Sequence, residues 1–372
     1  MEKRLIEGIA VLIGIVIGAG VLGIPYVVAK AGFLTGLLVI ILLGVAVMLI
    51  NLAVGEISLR TNGNHQLTGY AEKYLGKKGK FLMTVTMLLG IYGALLAYII
   101  GVGEALSAIF GLNSFIFSMI FFVFVAGLVY LGIKSIAESD MFLMSFVIGL
   151  ILIISAICIF SGKLNFMNLN EFSWNKIFVP YGVILFALVG ASAVPEMREV
   201  LRWEKENMKK AILLGSLIPL VLYALFAFSI VGVFGDKTTE IATLGLSQGF
   251  GNWIGIFANL FAVFAMTTSF MGLGLALKEM YNFDYKLSNN ISWILACFIP
   301  LIAFLIGFKS FINVIGLTGI FAGGLEGILI VLMLWKAKKK CDRKPEYSLP
   351  LIKLIGVILI IIFVLGIINQ IR

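Results

Sequence analysis

Charge and catalytic side chains are scarce in this chain. Of its 372 residues only 13% are Asp, Glu, Lys or Arg, against about 25% in an average soluble domain. That is too little polar material to cover a water-facing surface. Histidine occurs once, at His65 in a hydrophilic stretch, where a solvated ring is expected. Of the three cysteines, Cys158 and Cys297 fall in apolar runs and Cys341 in a basic loop, so neither a disulfide framework nor a CxxC metal pair is offered. HExxH, GxSxG and Walker-type phosphate motifs are missing as well. The chain therefore reads as no enzyme, with no cofactor.

What is present in excess is hydrocarbon. Hydrophobic residues make up 61% and the mean hydropathy is +1.11. They come in runs of about 20, the length an α-helix needs to cross about 30 Å of lipid. Eleven spans are predicted, over 5–29, 33–59, 80–110, 115–132, 140–161, 177–197, 208–234, 251–279, 289–307, 309–336 and 350–371. The N-terminal Met1-Glu2-Lys3-Arg4 runs straight into the first of these without a small-residue cleavage site, so that span is expected to be retained. The expectation is an all-α integral membrane protein, one transmembrane domain over 1–372, with the lipid bilayer as its partner.

The formal net charge of +9 reads as topology. With the N terminus inside, 22 of the 28 Lys and Arg fall on the inner face, including Lys134 and the run Lys336 to Lys344. The outer six are Lys30, Lys163, Lys176, Lys237, Lys309 and Arg372. This bias predicts a cytoplasmic N terminus, an extracytoplasmic C terminus and the plasma membrane. The basic run Lys336 to Lys344 has no interleaved aromatics and follows a span, so nucleic acid is not expected as a partner.

The two halves correspond at a fixed offset. Gly20 and Ala191 mark Gly- and Ala-rich interruptions 171 residues apart; Lys80 and Gly251, at the starts of spans three and eight, repeat that offset, and Asp140 and Ser310 stand 170 apart. Five spans per unit is an odd number, so the second copy must be inverted in the membrane. This predicts repeat one over about 5–161, repeat two over about 177–336 and an extra helix over about 350–371.

The interruptions themselves carry the chemistry. Gly18-Ala19-Gly20-Val21-Leu22-Gly23-Ile24-Pro25 places three glycines and a proline within eight residues of span one. Span six carries Gly190-Ala191-Ser192-Ala193-Val194-Pro195, with Gly190-Ala191-Ser192 the expected unwound stretch. Broken helices expose N–H groups that hold a carboxylate and C=O groups that hold a cation or ammonium. Close packing by small residues would use the same glycines; a pair of breaks in corresponding helices points instead to a transporter binding site.

The string Gly18 to Tyr26 with Ala31-Gly32-Phe33, the loop Leu67 to Gly79 and the Gly-to-Pro stretch of span six resemble the amino acid/auxin permease family. The resemblance covers nearly the whole chain and implies the leucine-transporter-type fold, with helices 1 and 6 broken, and secondary active transport of an amino acid. By that resemblance Gly18, Ala19 and Gly20 would hold the substrate carboxylate. Carbonyls near Phe186, Ala187 and Val189 would hold the ammonium, and Tyr98, Phe186 and Ser192 would line the side-chain pocket. The side chains of Thr268 and Ser269 with the carbonyls of Gly14, Ile17 and Ala265 would bind sodium, the expected coupling ion. Hydroxyls bonded to their own i−4 carbonyls are the plainer reading of the same Thr and Ser. Val21 replaces an asparagine that some relatives use for a second sodium, and span five lacks the lysine of some proton-coupled relatives.

Of the acids within spans, Glu56, Glu104, Glu196 and Glu326 are the candidates, and an acid costs about 2.5–3.5 kcal/mol at the helix centre. Glu56 has Arg60 four residues on, a spacing that pairs on a helix. Glu196 sits beside Arg198 at the inner end of span six, the place for a gating ion pair, and Glu104 lies in the outer half of span three. Glu326, after Gly323-Gly324, is nearest mid-span and is the leading proton-relay candidate. The reading is a sodium-coupled, alternating-access transporter of a neutral, hydrophobic or aromatic amino acid. A proton-coupled transporter and an amino-acid sensor are the alternatives.

Overall fold

A computed structural model describes residues 2–63, 65–132, 140–283, 285–350 and 352–371. Lys134 and Arg372, both used in the charge count, lie outside the described residues. The order is α1 (Glu2–Val16), α2 (Gly20–Ala31), α3 (Phe33–Arg60), α4 (Leu67–Phe110), α5 (Ser114–Leu131), α6 (Asp140–Phe160), α7 (Tyr181–Leu188), α8 (Val194–Val200), α9 (Met208–Phe234), α10 (Leu246–Phe250), α11 (Asn252–Phe283), α12 (Asn289–Leu305), α13 (Phe311–Thr318), α14 (Gly324–Ala337) and α15 (Ile352–Ile371). A π-helical turn, Gly319–Gly323, joins α13 to α14. The described residues contain no strand.

Seven helical segments are long and apolar enough to cross a membrane alone, and α1 with α2 forms an eighth crossing bent by 59°. The shorter apolar helices Val147–Phe160 and Asn289–Leu305 and the interrupted pair α7–α8 bring the described crossings to eleven. In lipid every backbone group must be satisfied within the protein, so helix is the form these runs take.

The pairings between helices come in exchanged sets. Helices α1 and α2 pack on α9 while α7 and α8 pack on α3; α4 meets α12 while α11 meets α5; α6 lies on α9 while α14 lies on α3. Helices α4 and α11 pair with each other. Exchanging the first five crossings with the second five maps this contact set onto itself, as a two-fold axis between inverted repeats requires.

Two local differences from the sequence reading have simple causes. The stretch 67–75, expected as loop, is helical and then turns at Gly76 (φ +76°) into the span of α4. Its buried Leu67, Tyr70, Ala71 and Tyr74 fall at i, i+3, i+4 and i+7, an amphipathic face too short for a membrane-length window. The interruption of the first span falls at residues 17–19 rather than centring on Gly20. Pro25 is tolerated inside α2.

The end of α3 and the loop before α15 are tied together by charge. Glu56, fully buried, accepts from Arg60 Nε (2.8 Å), Ser348 Oγ (3.0 Å) and Leu349 N (2.7 Å), with Lys338 Nζ at 3.4 Å. This network fixes the end of α3 to the loop before α15. Asp342 in the same loop pairs with Lys73 and accepts from Asn62 N (2.8 Å).

Candidate functional site

The two interruptions lie against one another. α7 ends at Leu188, Val189 is extended (ψ 125°), and a short 3-10 turn over Ala191–Ala193 leads into α8. The expected unwound stretch, Gly190-Ala191-Ser192, falls within this break. A Cβ on Gly20 would stand 2.8 Å from both Cα and Cβ of Ala187 and 3.2 Å from Phe186 Cδ1. One on Gly190 would stand 2.5 Å from Val16 Cγ2 and 3.0 Å from Leu12 Cδ1. Each break thus needs a residue without a side chain where it faces the other. The N-terminal end of α2, with its partial positive charge, meets the C-terminal end of α7, which carries partial negative charge. That is a polarity suited to a zwitterion.

A side chain that the sequence reading passed over joins the two breaks. Tyr223, in the middle of α9 and fully buried, donates from Oη to the Val16 carbonyl (2.7 Å) and reaches the Ala187 carbonyl (3.1 Å). One hydroxyl proton serves two acceptors, the last carbonyl of α1 and one of the three carbonyls expected to hold an ammonium. The signal was a lone tyrosine within an apolar run, whose polar tip needs a partner when buried.

Of the expected pocket residues, Tyr98 of α4 is 5% exposed and lies beside the Ser269 hydroxyl of α11. Its Oη lies 3.7 Å from where a Cβ on Gly18 would stand. Tyr98, Ser269 and the first break are therefore brought together. Ala19 and Gly20 are buried, while Phe186, Val189 and Ser192 are half-buried around the second break. For the expected sodium set, Thr268 Oγ1 donates within its own helix, to Ala265 O (3.0 Å) and Phe264 O (3.2 Å). Ile17, buried, donates its N–H to Ile13 O (2.8 Å) at the end of α1, and Gly14 is exposed on that helix.

The four candidate acids separate clearly. Glu56 is the neutralised anchor described above, paired with Arg60 as its spacing predicted. Glu104 lies within electrostatic reach of Glu240, whose carboxylate accepts from Ser310 Oγ (3.3 Å). Glu196 is exposed. Its neighbour Arg198 is buried and donates to Thr61 O (2.8 Å), Gly63 O (2.5 Å) and Tyr70 Oη (3.3 Å), tying α8 to the loop after α3. Glu326 is 8% exposed and its Oε1 has no hydrogen-bond partner.

A family model described as the tryptophan/tyrosine permease family matches residues 1–371. The chain belongs to the tryptophan/tyrosine permease family. This replaces the amino acid/auxin permease label suggested by the first-helix string. Among curated relatives of this permease, Glutamine transporter 2 of Aliivibrio fischeri is 23% identical over 354 residues, covering 91% of each chain. Tyrosine-specific transport system 1 of Haemophilus influenzae is 27% identical over 379 residues, covering 95% of this chain and 92% of its own. Among solved structures, MhsT in complex with L-phenylalanine superposes with a TM-score of 0.69 at 16% identity, over 97% of this chain and 96% of that one. At that identity the likeness speaks to the fold, which is the leucine-transporter type.

Proposed function

We propose that this permease carries a neutral amino acid, hydrophobic or aromatic, across the plasma membrane by alternating access, driven by a sodium gradient. The observation that carries the reading is the contact of the two broken helices at Gly20 and Ala187, where opposite helix ends face each other. The substrate carboxylate would sit at Gly18, Ala19 and Gly20, and its ammonium at the carbonyls of Phe186, Ala187 and Val189. That ammonium would compete with the Tyr223 hydroxyl for the Ala187 carbonyl. Tyr98, Phe186 and Ser192 would face the substrate side chain. The named substrates of the two relatives, tyrosine and glutamine, and the phenylalanine bound to MhsT are all neutral amino acids, in keeping with a pocket that offers no paired charge.

For sodium, the ligands would be Thr268, Ser269 and the carbonyls of Gly14, Ile17 and Ala265, with Thr268 and Ser269 turning from their present hydrogen bonds. The repeats would be 5–161 and 177–336, with 350–371 outside them, and the N terminus would face the cytoplasm. The test is uptake of labelled tryptophan, tyrosine, phenylalanine and glutamine into liposomes holding the purified chain. Accumulation of at least one under an inward sodium gradient is expected, and replacing Thr268 and Ser269 together with alanine should abolish its sodium dependence. Binding without uptake under any gradient would overturn transport and favour a sensor. Unchanged sodium-driven uptake in the double variant would overturn the cation site.

A further inference from the structure

Behind the second break lies a cavity of about 10 Å³, at the lower limit for one water molecule. Its wall includes Val189, Gly190 and Ala191 of the unwound segment, Phe363 of α15, and two polar side chains, Asn51 of α3 and Glu326 of α14. Both are more than nine-tenths buried, at 1% and 8% exposure. Asn51 Nδ2 donates to Ser216 Oγ (3.2 Å), which leaves the amide oxygen for the cavity. Asn51 Oδ1 and Glu326 Oε1 are both buried without a hydrogen-bond partner. Two acceptors therefore line one small space, and what is missing between them is a donor.

The helices packed on α14 do not bring a counter-charge to this space. Their titratable or charged groups are Glu56 and Arg60 of α3, Tyr181 of α7 and Lys353 of α15. In α4 they are Tyr92, Tyr98 and Glu104 of the span and Tyr70, Glu72, Lys73, Tyr74, Lys77, Lys78 and Lys80 nearer its start. Lys336 is on α14 itself. None of these lines the cavity. Glu56 and Arg60 pair with one another, Tyr92 bonds to Tyr281, and Tyr181 donates to Ile362 O.

We propose that Glu326 and Asn51 form a binding site for a single proton behind the break between α7 and α8, and that loading it is coupled to movement of the substrate site. The proposal rests on the transporter reading and adds an ion to it. A lone carboxylate in hydrocarbon is costly, and a proton removes the charge while making the carboxyl a donor for the Asn51 oxygen, directly or through one water. A metal ion is a poor occupant: hard cations gather about six oxygens or more, and the rest of this wall is hydrocarbon and glycine. The transfer is simple in its balance. A hydronium ion on one side gives its proton to the Glu326 carboxylate and becomes water, and the carboxyl later returns the proton to water on the other side. Because the wall of the site is the unwound backbone itself, ionising Glu326 places a negative charge beside the segment that carries the substrate carbonyls. Two packings of α7–α8 then differ in proton affinity, which is the requirement for coupling.

The test uses the full chain in liposomes with equal sodium on both sides and a pH-reporting dye inside. Wild-type protein is expected to exchange labelled substrate in counterflow, to accumulate it several-fold under an inward proton gradient, and to acidify the lumen as it does so. Glu326→Gln mimics the loaded carboxyl. It should lose both gradient-driven accumulation and acidification, whatever counterflow it retains. Asn51→Leu removes the acceptor for the loaded form and should shift the pH of half-maximal uptake toward acid with the maximum little changed. Counterflow without substrate-linked proton movement in the wild type overturns the proton site while leaving the transporter reading intact. So does gradient-driven accumulation by Glu326→Gln equal to wild type. Failure of the wild type to exchange any of the four labelled amino acids overturns the transporter reading itself, and the proposal with it. The wild-type proton measurement stands without any variant, so poor folding of Glu326→Gln leaves the question decidable.

Discussion

At the scale of single residues, the site is shaped as much by missing side chains as by those present. Adding a methyl at Gly20 puts it against Cα and Cβ of Ala187, atoms that cannot give way unless α7 shifts. Gly20→Ala should cost about 1–3 kcal/mol as overpacking and lower uptake at least ten-fold at matched membrane expression. Gly127→Ala on α5, with nothing within 4 Å of the added carbon, is the control and should transport normally. Charge gives a second residue-level prediction. The Lys73 ammonium and the Asn62 N–H hold the Asp342 carboxyl below the usual carboxylate range. A lowered folded value contributes stability above the ordinary value, about 3.9 for Asp, and that contribution disappears as pH falls through the folded value. The protection of the Asn62 amide, measured against an unstructured peptide at the same pH, should therefore fall on acidification below about pH 4. Asp342→Asn should show the lower protection already at neutral pH, and equal protection in the two proteins would refute the latch.

At the scale of elements, helix ends decide the assembly. Lys278 of α11 is 7% exposed, and its ammonium donates to Val129 O (3.0 Å) and Tyr130 O (2.9 Å) in the last turn of α5. A cation at a helix C terminus is favourable, and here it also satisfies carbonyls that the helix leaves open. Lys278→Met keeps the apolar stem and strands those carbonyls, which should lower stability by about 1–3 kcal/mol, read as a lower thermal midpoint in detergent. An unchanged midpoint would mean that water replaces the ammonium. Span positions were legible because hydrocarbon runs report the membrane directly, and α9 begins and ends where the hydropathy placed it. The helix at 67–75 and the position of the first break were not. The former is shorter than any membrane window, and the latter depends on where Gly18 N–H bonds back to Val16 O (3.0 Å), a choice made by packing.

At the scale of the whole molecule, a constant offset between the two halves was readable in the sequence, and the exchanged helix pairings follow the same division. The partners inside the site were not readable. Tyr98 with Ser269, Tyr223 with Val16 and Ala187, and Asn51 beside Glu326 come from crossings far apart in the chain, and no local spacing brings them together. Topology can be checked with the protein's own thiols. Cys341 is exposed, whereas Cys158 and Cys297 are buried. A membrane-impermeant maleimide should label inside-out vesicles at Cys341 and leave right-side-out vesicles unlabelled. The opposite pattern would reverse the orientation drawn from the basic loops.

The π-helical turn at Gly319–Gly323 has a consequence for how the buried acid is maintained. A π turn holds one residue more than the α repeat, and each α-helical residue advances the side chains by about 100°. Relative to an unbroken continuation of α13, the face of α14 that carries Glu326 is thus set about a quarter-turn around. Deleting one residue from the turn would straighten the register and swing the carboxyl away from Asn51, with the hydropathy of the span and every charge unaltered. In this helix a buried acid can be gained or lost by one codon of length upstream, with no change at the acid itself.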